Sequence, residues 1–339
     1  MRVGMVGAGR IGAVHARTLF QQETVEQLLI ADLVPERAVV LARELGAQHV
    51  ESIDELFAGR IDALVVTAAT SAHAGLVTSA VEAGLPVFCE KPVASTVAET
   101  LAVLDLLRRT GVELHIGFQR RFDAGFAAAR ELVARGELGW VHTIRAGTCD
   151  AAPPPDEYIP TSGGLFRDCS VHDIDAIRWV TGAEVREVYA LGANHRDDAI
   201  RRAGDVDAAA ALVTLESDTF VLLNATRYNA AGYDVRMELL GSQKSISVGL
   251  DERMPLRSVE PGVAFPTGRP WATFMERFAA AYVAEMVAFV KVAAAEMASP
   301  CTAEDALQAA LVAEACELSR AEGRPVEIAE MAQLAGAVR

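Results

Sequence analysis

Apolar positions fall along the chain in two textures. Over the first 120 residues, short apolar runs alternate with segments of helical spacing. Residues 3–6 predict a strand, 12–20 a helix, 28–31 a second strand, 35–45 a helix, 48–50 a short strand and 52–57 a helical turn. The β-branched run 62–67 predicts a central parallel strand, 72–83 is helical up to Gly84, and 86–89 is the next strand. An amphipathic helix at 96–109, closed by Gly111, leads to a strand at 113–116. Strands that alternate with helices imply a doubly wound parallel sheet. From 117 onward the texture changes. A helix at 122–136, a strand at 140–148 and a proline-rich loop at 151–160 run into Ser162-Gly163-Gly164, and 168–181 returns to helix. Strands follow at 184–191, 207–216, 219–226, 234–240 and 244–248, then long helices at 273–297 and 303–322. Successive strands with short connections predict an α+β domain with a large, mostly antiparallel sheet. Val213, Leu215, Phe220, Val221, Leu222 and Leu223 put apolar groups on both faces of its central strands, which predicts a face that is open until a partner covers it.

The first strand runs straight into Gly7-Ala8-Gly9-Arg10-Ile11-Gly12, and the second ends on Asp32, about twenty residues beyond Gly12. That order is the one a dinucleotide-binding βαβ unit requires. Gly7 permits the tight turn, Gly9 lets backbone amides approach a pyrophosphate, and Gly12 lets the helix pack closely on the strand. The helix N-terminus adds partial positive charge, and Asp32 would accept from the adenosine ribose hydroxyls. Ligands of such sheets lie at the carboxyl ends of the strands, where Gly7, Asp32, Thr67 and Glu90 fall. The expected organisation is a Rossmann NAD-binding domain over residues 1–120 and a substrate-binding and oligomerisation domain over 121–339.

Composition narrows the partners. With 51% hydrophobic and 23% charged residues in 339, the chain is an ordinary globular protein long enough for two cores. A formal net charge of -15 argues against nucleic acid and anionic membranes. Cys89, Cys149, Cys169, Cys301 and Cys316 form no close-spaced pairs, which predicts reduced thiols and no metal site. Arg2 is followed at once by the first strand without a secretory pattern, so the expected location is cytoplasmic. Residues 63–81 lack Asp, Glu, Lys and Arg, yet Thr67, Thr70, Ser71, His73 and Gly75 fit a strand, loop and helix start better than a membrane span.

No nucleophile elbow, His-Glu-x-x-His, Cys-x-x-Cys or Walker loop is present. Two constellations remain. Glu90-Lys91-Pro92 follows the fifth strand, where the Lys91 ammonium could hydrogen-bond a substrate oxygen and stabilise developing alkoxide character; a solvated lysine after a strand fits equally well. Asp168-Cys169-Ser170-Val171-His172 puts Asp168 and His172 on one helical face, with Asp175 a turn further on. A histidine there can take a proton at neutral pH and an acidic neighbour can orient it, although a solvent-facing helix shows the same pairing.

Taken together, Gly7-Ala8-Gly9-Arg10-Ile11-Gly12, Cys89-Glu90-Lys91-Pro92, Gly117-Phe118-Gln119-Arg120-Arg121-Phe122-Asp123 and Asp168-x-x-x-His172 resemble the glucose–fructose oxidoreductase, inositol dehydrogenase and rhizopine-catabolism (Gfo/Idh/MocA) family. Pro153-Pro154-Pro155, Tyr158-Ile159, Ser162-Gly163-Gly164-Leu165-Phe166-Arg167-Asp168 and Gly232-Tyr233-Asp234-Val235-Arg236 are most similar to inositol 2-dehydrogenases. The resemblance implies an NAD-dependent dehydrogenase in which Lys91 contacts the reacting hydroxyl, His172 is the acid/base and Asp168 assists it. It also implies Gly7, Gly9, Arg10, Ile11, Gly12, Asp32, Thr67, His73 and Glu90 around the cofactor, Asp150 and Tyr233 on the substrate, and a homotetramer that pairs open sheet faces. The sequence departs from the family at Cys149-Asp150-Ala151-Ala152, where Arg-Asp-Pro-Ala is common, at Gln119 for asparagine, and at Tyr228 for a basic residue. The implied substrate is a cyclitol, myo-inositol first, with a related pyranose, aminocyclitol or inositol isomer as alternative. A dinucleotide-sensing regulatory protein on the same fold is the alternative of another class; it needs no catalytic trio, whereas Lys91, Asp168 and His172 are all present.

Overall fold

The computed structural model describes residues 1–195 and 197–337; the last two residues of the expected second domain, 338 and 339, lie outside the described residues. The chain divides into two compact units: Met1–Phe122 with Ala280–Gln308, and Asp123–Ala279 with Ala309–Arg339.

In the first unit, β1 (Arg2–Val6), β2 (Gln27–Ala31), β3 (Gln48–His49), β4 (Ala63–Val66), β5 (Val87–Cys89) and β6 (Leu114–Ile116) form one parallel sheet in the order β3-β2-β1-β4-β5-β6. The crossovers are α1 (Arg10–Phe20), α2 (Pro35–Leu45), α3 (Ile53–Ala58), α4 (Thr70–Glu82) and α5 (Val97–Thr110). This is the doubly wound arrangement, with the order reversing between β1 and β4. Local chemistry sets the helix ends. Thr96 and Glu99 close a capping box on α5, and Gly111, in the left-handed region at φ 70°, ends it. The four strands β1, β2, β4 and β5 are almost wholly buried, so they read as apolar runs without alternation.

The second unit is built on a seven-stranded sheet ordered β12-β11-β7-β10-β9-β8-β13. Its strands are β7 (Val141–Cys149), β8 (Val185–Ala193), β9 (Ala208–Leu215), β10 (Phe220–Thr226), β11 (Asp234–Gly241), β12 (Ser245–Val248) and β13 (Val326–Glu327). Neighbours run antiparallel except β7 and β10, which are parallel. Helices α6 (Ala124–Ala134), α7 (Val171–Thr181), α8 (Asp198–Arg202), α9 (Phe274–Arg277) and α10 (Ala279–Ala293) precede α11 (Ala303–Glu322) and α12 (Ile328–Ala337). One face of the sheet buries Val188, Val213, Leu215, Val221 and Leu223, while the other exposes Tyr189, Leu212 and Leu222. Those three are cross-strand neighbours, since Leu212 pairs with both Tyr189 and Leu222, so the open face carries a continuous apolar row.

Several elements depart from the sequence expectation. Nearly all of α10 and the start of α11 belong to the first unit, because Met286, Phe289 and Val290 of α10 join the core made by Val3, Met5, Ala63, Val65 and Phe88. A division at 120 with everything later in a second domain therefore misplaces Ala280–Gln308. The helix expected at 122–136 is a 3-10 turn, Gln119–Phe122, followed by α6, because the Asp123 carboxylate accepts from the amides of Gly125 and Phe126 and starts a new helix. The helix expected at 168–181 begins as a π turn, Phe166–Ser170, before α7. β13, α8 and α12 were not expected.

Candidate active site

The glycine loop is shaped for close backbone approach. Gly7 has φ 109°, and a Cβ there would lie 2.5 Å from the Thr67 carbonyl. A Cβ on Gly12 would fall 2.1 Å from the Gly7 oxygen, so both positions admit only glycine. A Cβ on Gly9 would meet nothing within 4 Å, which leaves the space in front of it open. Gly9 is the N-cap of α1 and makes no side-chain cap, so the amides of Arg10, Ile11 and Gly12 lack an intrahelical acceptor. Uncapped donors beside an open glycine suit a pyrophosphate.

Two side chains of the expected cofactor set hold this loop. Asp32 accepts from Ala8 N at 2.6 Å through Oδ2 and from Val34 N at 2.8 Å through Oδ1. Each oxygen keeps a second lone-pair direction for a ribose hydroxyl. Thr67 is buried and donates its hydroxyl to the Gly7 carbonyl at 2.7 Å. His73 is also buried, with Nδ1 2.7 Å from the Pro92 carbonyl and Nε2 3.0 Å from that of Ala68. Glu90 turns inward, its Oε1 2.7 Å from His15 Nε2. Gly117 makes room for it: a Cβ there would lie 2.8 Å from Glu90 Oε2. Lys91, half-buried, stands between these two anchored residues.

In the second unit the substrate candidates gather at one end of the sheet. Cys149, at the end of β7, pairs with Thr226 of β10 and Asp234 of β11, so Asp150, Arg227 and Tyr233 follow side by side. Asp168, in the π turn, accepts from the Tyr158 hydroxyl at 2.9 Å and from Arg227 Nη1 at 2.9 Å. The same Nη1 lies 3.5 Å from Asp150 Oδ2 and 3.1 Å from Cys169 Sγ. A buried guanidinium thus ties together two carboxylates that are 18 residues apart in sequence. Burial works against the charge on Arg227, but Cys169, Asp168 and Asp150 outweigh it and hold the proton more firmly than usual. Burial pushes the Asp150 carboxyl up, with Arg227 pulling it back. Burial, and then the Asp168 charge, push the Tyr158 phenol up, so it stays a donor.

His172 lies in the first turn of α7, half-buried, and Asp175 is buried further along. Because a π turn precedes it, the four-residue spacing does not by itself set the face that Asp168 and His172 share. Tyr233 is buried with its ring 6.4 Å from Phe274. Gly163 and Gly164, at φ 82° and 99°, make the turn that leads into the π segment. Tyr228, one of the departures noted in the sequence, donates to Asp197 Oδ2 at 2.6 Å. Sequence reasoning assigned no role to Arg227, Tyr158 or His15. The sequence carried no local signal for Arg227, because its place beside Asp150 comes from the pairing of β10 with β7. Among the described residues there is no group of three or more metal-ligating side chains, and no helix is long and apolar enough to cross a membrane.

Comparison with known proteins places this geometry. Residues 1–118 match the family profile described as an oxidoreductase family with an NAD-binding Rossmann fold, and 126–247 match the GFO/IDH/MocA C-terminal domain. A myo-inositol dehydrogenase of Streptomyces leeuwenhoekii is 40% identical over 320 residues, covering 93% of this chain and 96% of its own. The myo-inositol 2-dehydrogenase of Thermotoga maritima is 33% identical over 334 residues, covering 98% and 99%. Among solved structures, scyllo-inositol dehydrogenase from Lactobacillus casei with bound NAD(H) and scyllo-inositol superposes with a TM-score of 0.86 at 31% identity, over 97% of this chain and 99% of the other. The uncapped glycine turn fits the NAD-binding Rossmann fold of the matched profile, and the chain belongs to the GFO/IDH/MocA oxidoreductase family, as an NAD-binding oxidoreductase of the inositol dehydrogenase type.

Proposed function

We propose that the protein oxidises one secondary ring hydroxyl of a cyclitol, myo-inositol or one of its isomers, to the ketone. The observation that carries this is the Asp150–Arg227–Asp168–Tyr158 cluster, in which donors from Arg227 and Tyr158 fix two carboxylates as acceptors for substrate hydroxyls, Asp168 lying one turn before His172 in the sequence. The relatives named for myo- and scyllo-inositol support the same substrate class.

When bound, NAD supplies the hydride acceptor. The uncapped amides of Arg10, Ile11 and Gly12 would hold its pyrophosphate and Asp32 its ribose. Lys91 donates a hydrogen bond to the oxygen of the reacting hydroxyl and stabilises the negative charge that grows there. His172 takes the hydroxyl proton, and Asp168, itself fixed by Tyr158 and Arg227, orients the imidazole. Asp150 and Tyr233 pair with the other ring hydroxyls. A site built to bond a hydroxyl strongly rejects an analogue lacking it.

The test is a nicotinamide absorbance assay over a panel of cyclitols, pyranoses, sugar phosphates and uronic acids, with both NAD and NADP. A neutral cyclitol is expected to give the highest kcat/KM. A phosphorylated or carboxylated sugar preferred by more than about tenfold, roughly 1.4 kcal/mol in transition-state binding, would overturn the assignment.

A further inference from the structure

Behind Glu90-Lys91-Pro92 lies a buried polar layer that the proposed chemistry does not use. Helix α10 presents Tyr282, Glu285 and Phe289 at spacings that share one face. The Tyr282 ring lies 5.7 Å from the His15 ring, and the Phe289 ring lies 5.6 Å from Phe88 and 6.2 Å from His115. His15 and Phe88 are themselves 5.0 Å apart, and Phe88 stacks on His115 at 5.6 Å. Glu285 is thereby bracketed over the layer formed by His15 of α1, Phe88 of β5 and His115 of β6.

Glu285 has no exposed surface, and neither of its carboxyl oxygens has a hydrogen-bond partner. Nδ1 of His15 and both ring nitrogens of His115 are in the same condition. Burial, and then the Glu90 charge, push the Glu285 carboxyl well up, which keeps it a neutral acid with an O–H to donate. Burial, then Arg121 and His15, push His115 down to about 3, so its ring is neutral. Burial and then Glu90 raise the Cys89 thiol. A buried polar group without a partner destabilises a fold, and an apolar side chain of similar volume would relieve that. The position is otherwise surrounded by core, with Met286 and Phe289 on the same helix.

Both neighbours of Lys91 are pinned by buried histidines. His15 holds the Glu90 carboxyl at 2.7 Å and His73 holds the Pro92 carbonyl at 2.7 Å. Glu285 lies close enough to the first of these anchors for the Glu90 charge to act on it.

We propose that Glu285 is a positioning residue: with His15 it keeps the Glu90 carboxyl turned inward, and so fixes where the neighbouring Lys91 ammonium stands. This rests on Lys91 being the group that meets the reacting hydroxyl. Two buried histidines from two helices hold this short loop, and the acid on the face of α10 that packs toward His15 detracts from stability where it stands. That combination separates a functional demand from a packing one.

Glu285→Leu and Glu285→Gln, made in the full-length chain, test it through melting temperature, NADH affinity, steady-state rates and NMR of protein labelled biosynthetically at the lysine ε-carbon. Lys91, Lys244 and Lys291 are the lysines of the chain, so Lys91 is assigned by its loss in Lys91→Ala. Glu285→Leu is expected to raise the melting temperature yet lower kcat about tenfold, with KM and the NADH Kd within twofold of wild type. Its Lys91 resonance should move while those of Lys244 and Lys291 stay, and Glu285→Gln should recover most of kcat. A Glu285→Leu enzyme with wild-type kcat and an unmoved Lys91 resonance overturns the proposal, as does a melting temperature that falls together with kcat. Failure of the dehydrogenase assignment itself would show as absent turnover in wild type. The Lys91 resonance decides the positioning role in that case too.

Discussion

Asp32 gives the sharpest test of cofactor choice. Its carboxylate is anchored at both oxygens, by Ala8 N at 2.6 Å and Val34 N at 2.8 Å, so it cannot swing away from a ligand on the loop. A 2′-phosphate in place of the ribose hydroxyl would bring like charges to about 4 Å, which costs about 1 kcal/mol in water and about 4 kcal/mol near a protein surface. The corresponding preference for NAD over NADP runs from about fivefold to about a thousandfold, at 1.4 kcal/mol per factor of ten. Asp32 is half-buried, which places the expectation near the middle, about a hundredfold. Asp32→Asn removes the charge but also leaves one of the two amides facing an NH2 group, a loss of about 1 to 3 kcal/mol in loop order. The variant should therefore use NAD about tenfold worse and NADP better, so that the ratio of kcat/KM values falls by at least tenfold. Arg37, exposed on the first turn of α2, is the nearby cation that could serve NADP; adding Arg37→Ala should remove the gain. Equal use of both cofactors by wild type, or a ratio unchanged in Asp32→Asn, would refute the reasoning.

Lys91→Ala and His172→Ala should each lower kcat by about 10²- to 10⁴-fold while NADH binding, followed by fluorescence, stays within about threefold. Arg227→Met leaves Asp168 and Asp150 without their buried partner and should destabilise the protein by about 3 to 5 kcal/mol in denaturant unfolding, whereas Tyr158→Phe, which removes one hydrogen bond, should lose only about 1 kcal/mol. Because the Glu285 carboxyl is raised in the folded state, the folded protein holds its proton more tightly than the unfolded chain, so the cost of this buried acid is least below the carboxyl's unfolded value and grows as pH rises toward the folded one; relative to Glu285→Gln, wild type should lose up to about 1.4 kcal/mol per pH unit across that window. The apolar row of Tyr189, Leu212 and Leu222 should lie between copies in a homo-oligomer, a tetramer by light scattering, and Leu212→Arg with Leu222→Arg should yield smaller species; a wild-type monomer at micromolar concentration would refute this.

What the sequence disclosed was local. The glycine loop was legible because two of its glycines answer local steric demands, Gly7 by its positive φ and Gly12 by the Gly7 carbonyl behind it, while Gly9 leaves open the space a ligand needs. The parallel strands were legible because burial on both faces leaves apolar runs, and the sheet of the second unit because its connections are short. What stayed hidden was set by long-range pairing. Arg227 reaches Asp168 across 59 residues and Asp150 across 77, and no local pattern marks an arginine destined for burial. Glu285 looked like an ordinary polar position on a helix, since nothing in residues 279–293 announces that α10 packs on the first sheet. The π turn escaped because its sequence, Phe166–Ser170, carries the same spacing as an α-helix, and the difference lies in the left-handed glycines that lead into it.

The distribution of charge in the second unit bears directly on substrate class. Arg227 is 2% exposed and its Nη1 is already shared among Asp168, Asp150 and Cys169, so its charge is committed to the protein. The groups that remain partly accessible beside it are the two carboxylates and the Tyr158 ring. A ligand arriving there meets acceptors for O–H donors rather than a free cation. A uronic acid or sugar phosphate would meet like charge, at a penalty of about 1 to 4 kcal/mol for each contact near 4 Å. A ring hydroxyl, by contrast, can donate to a carboxylate whose position Arg227 and Tyr158 have fixed in advance, and charge-assisted bonds of that kind are roughly twice as strong as neutral ones. Cys149, at the end of β7, acts in the same direction. Burial, and then Asp234, push its thiol up to about 11, so it offers neither a cation nor an anion at neutral pH. The chemistry available at this end of the sheet therefore favours an uncharged polyol over a charged sugar, which is the outcome the proposed function requires of the substrate panel.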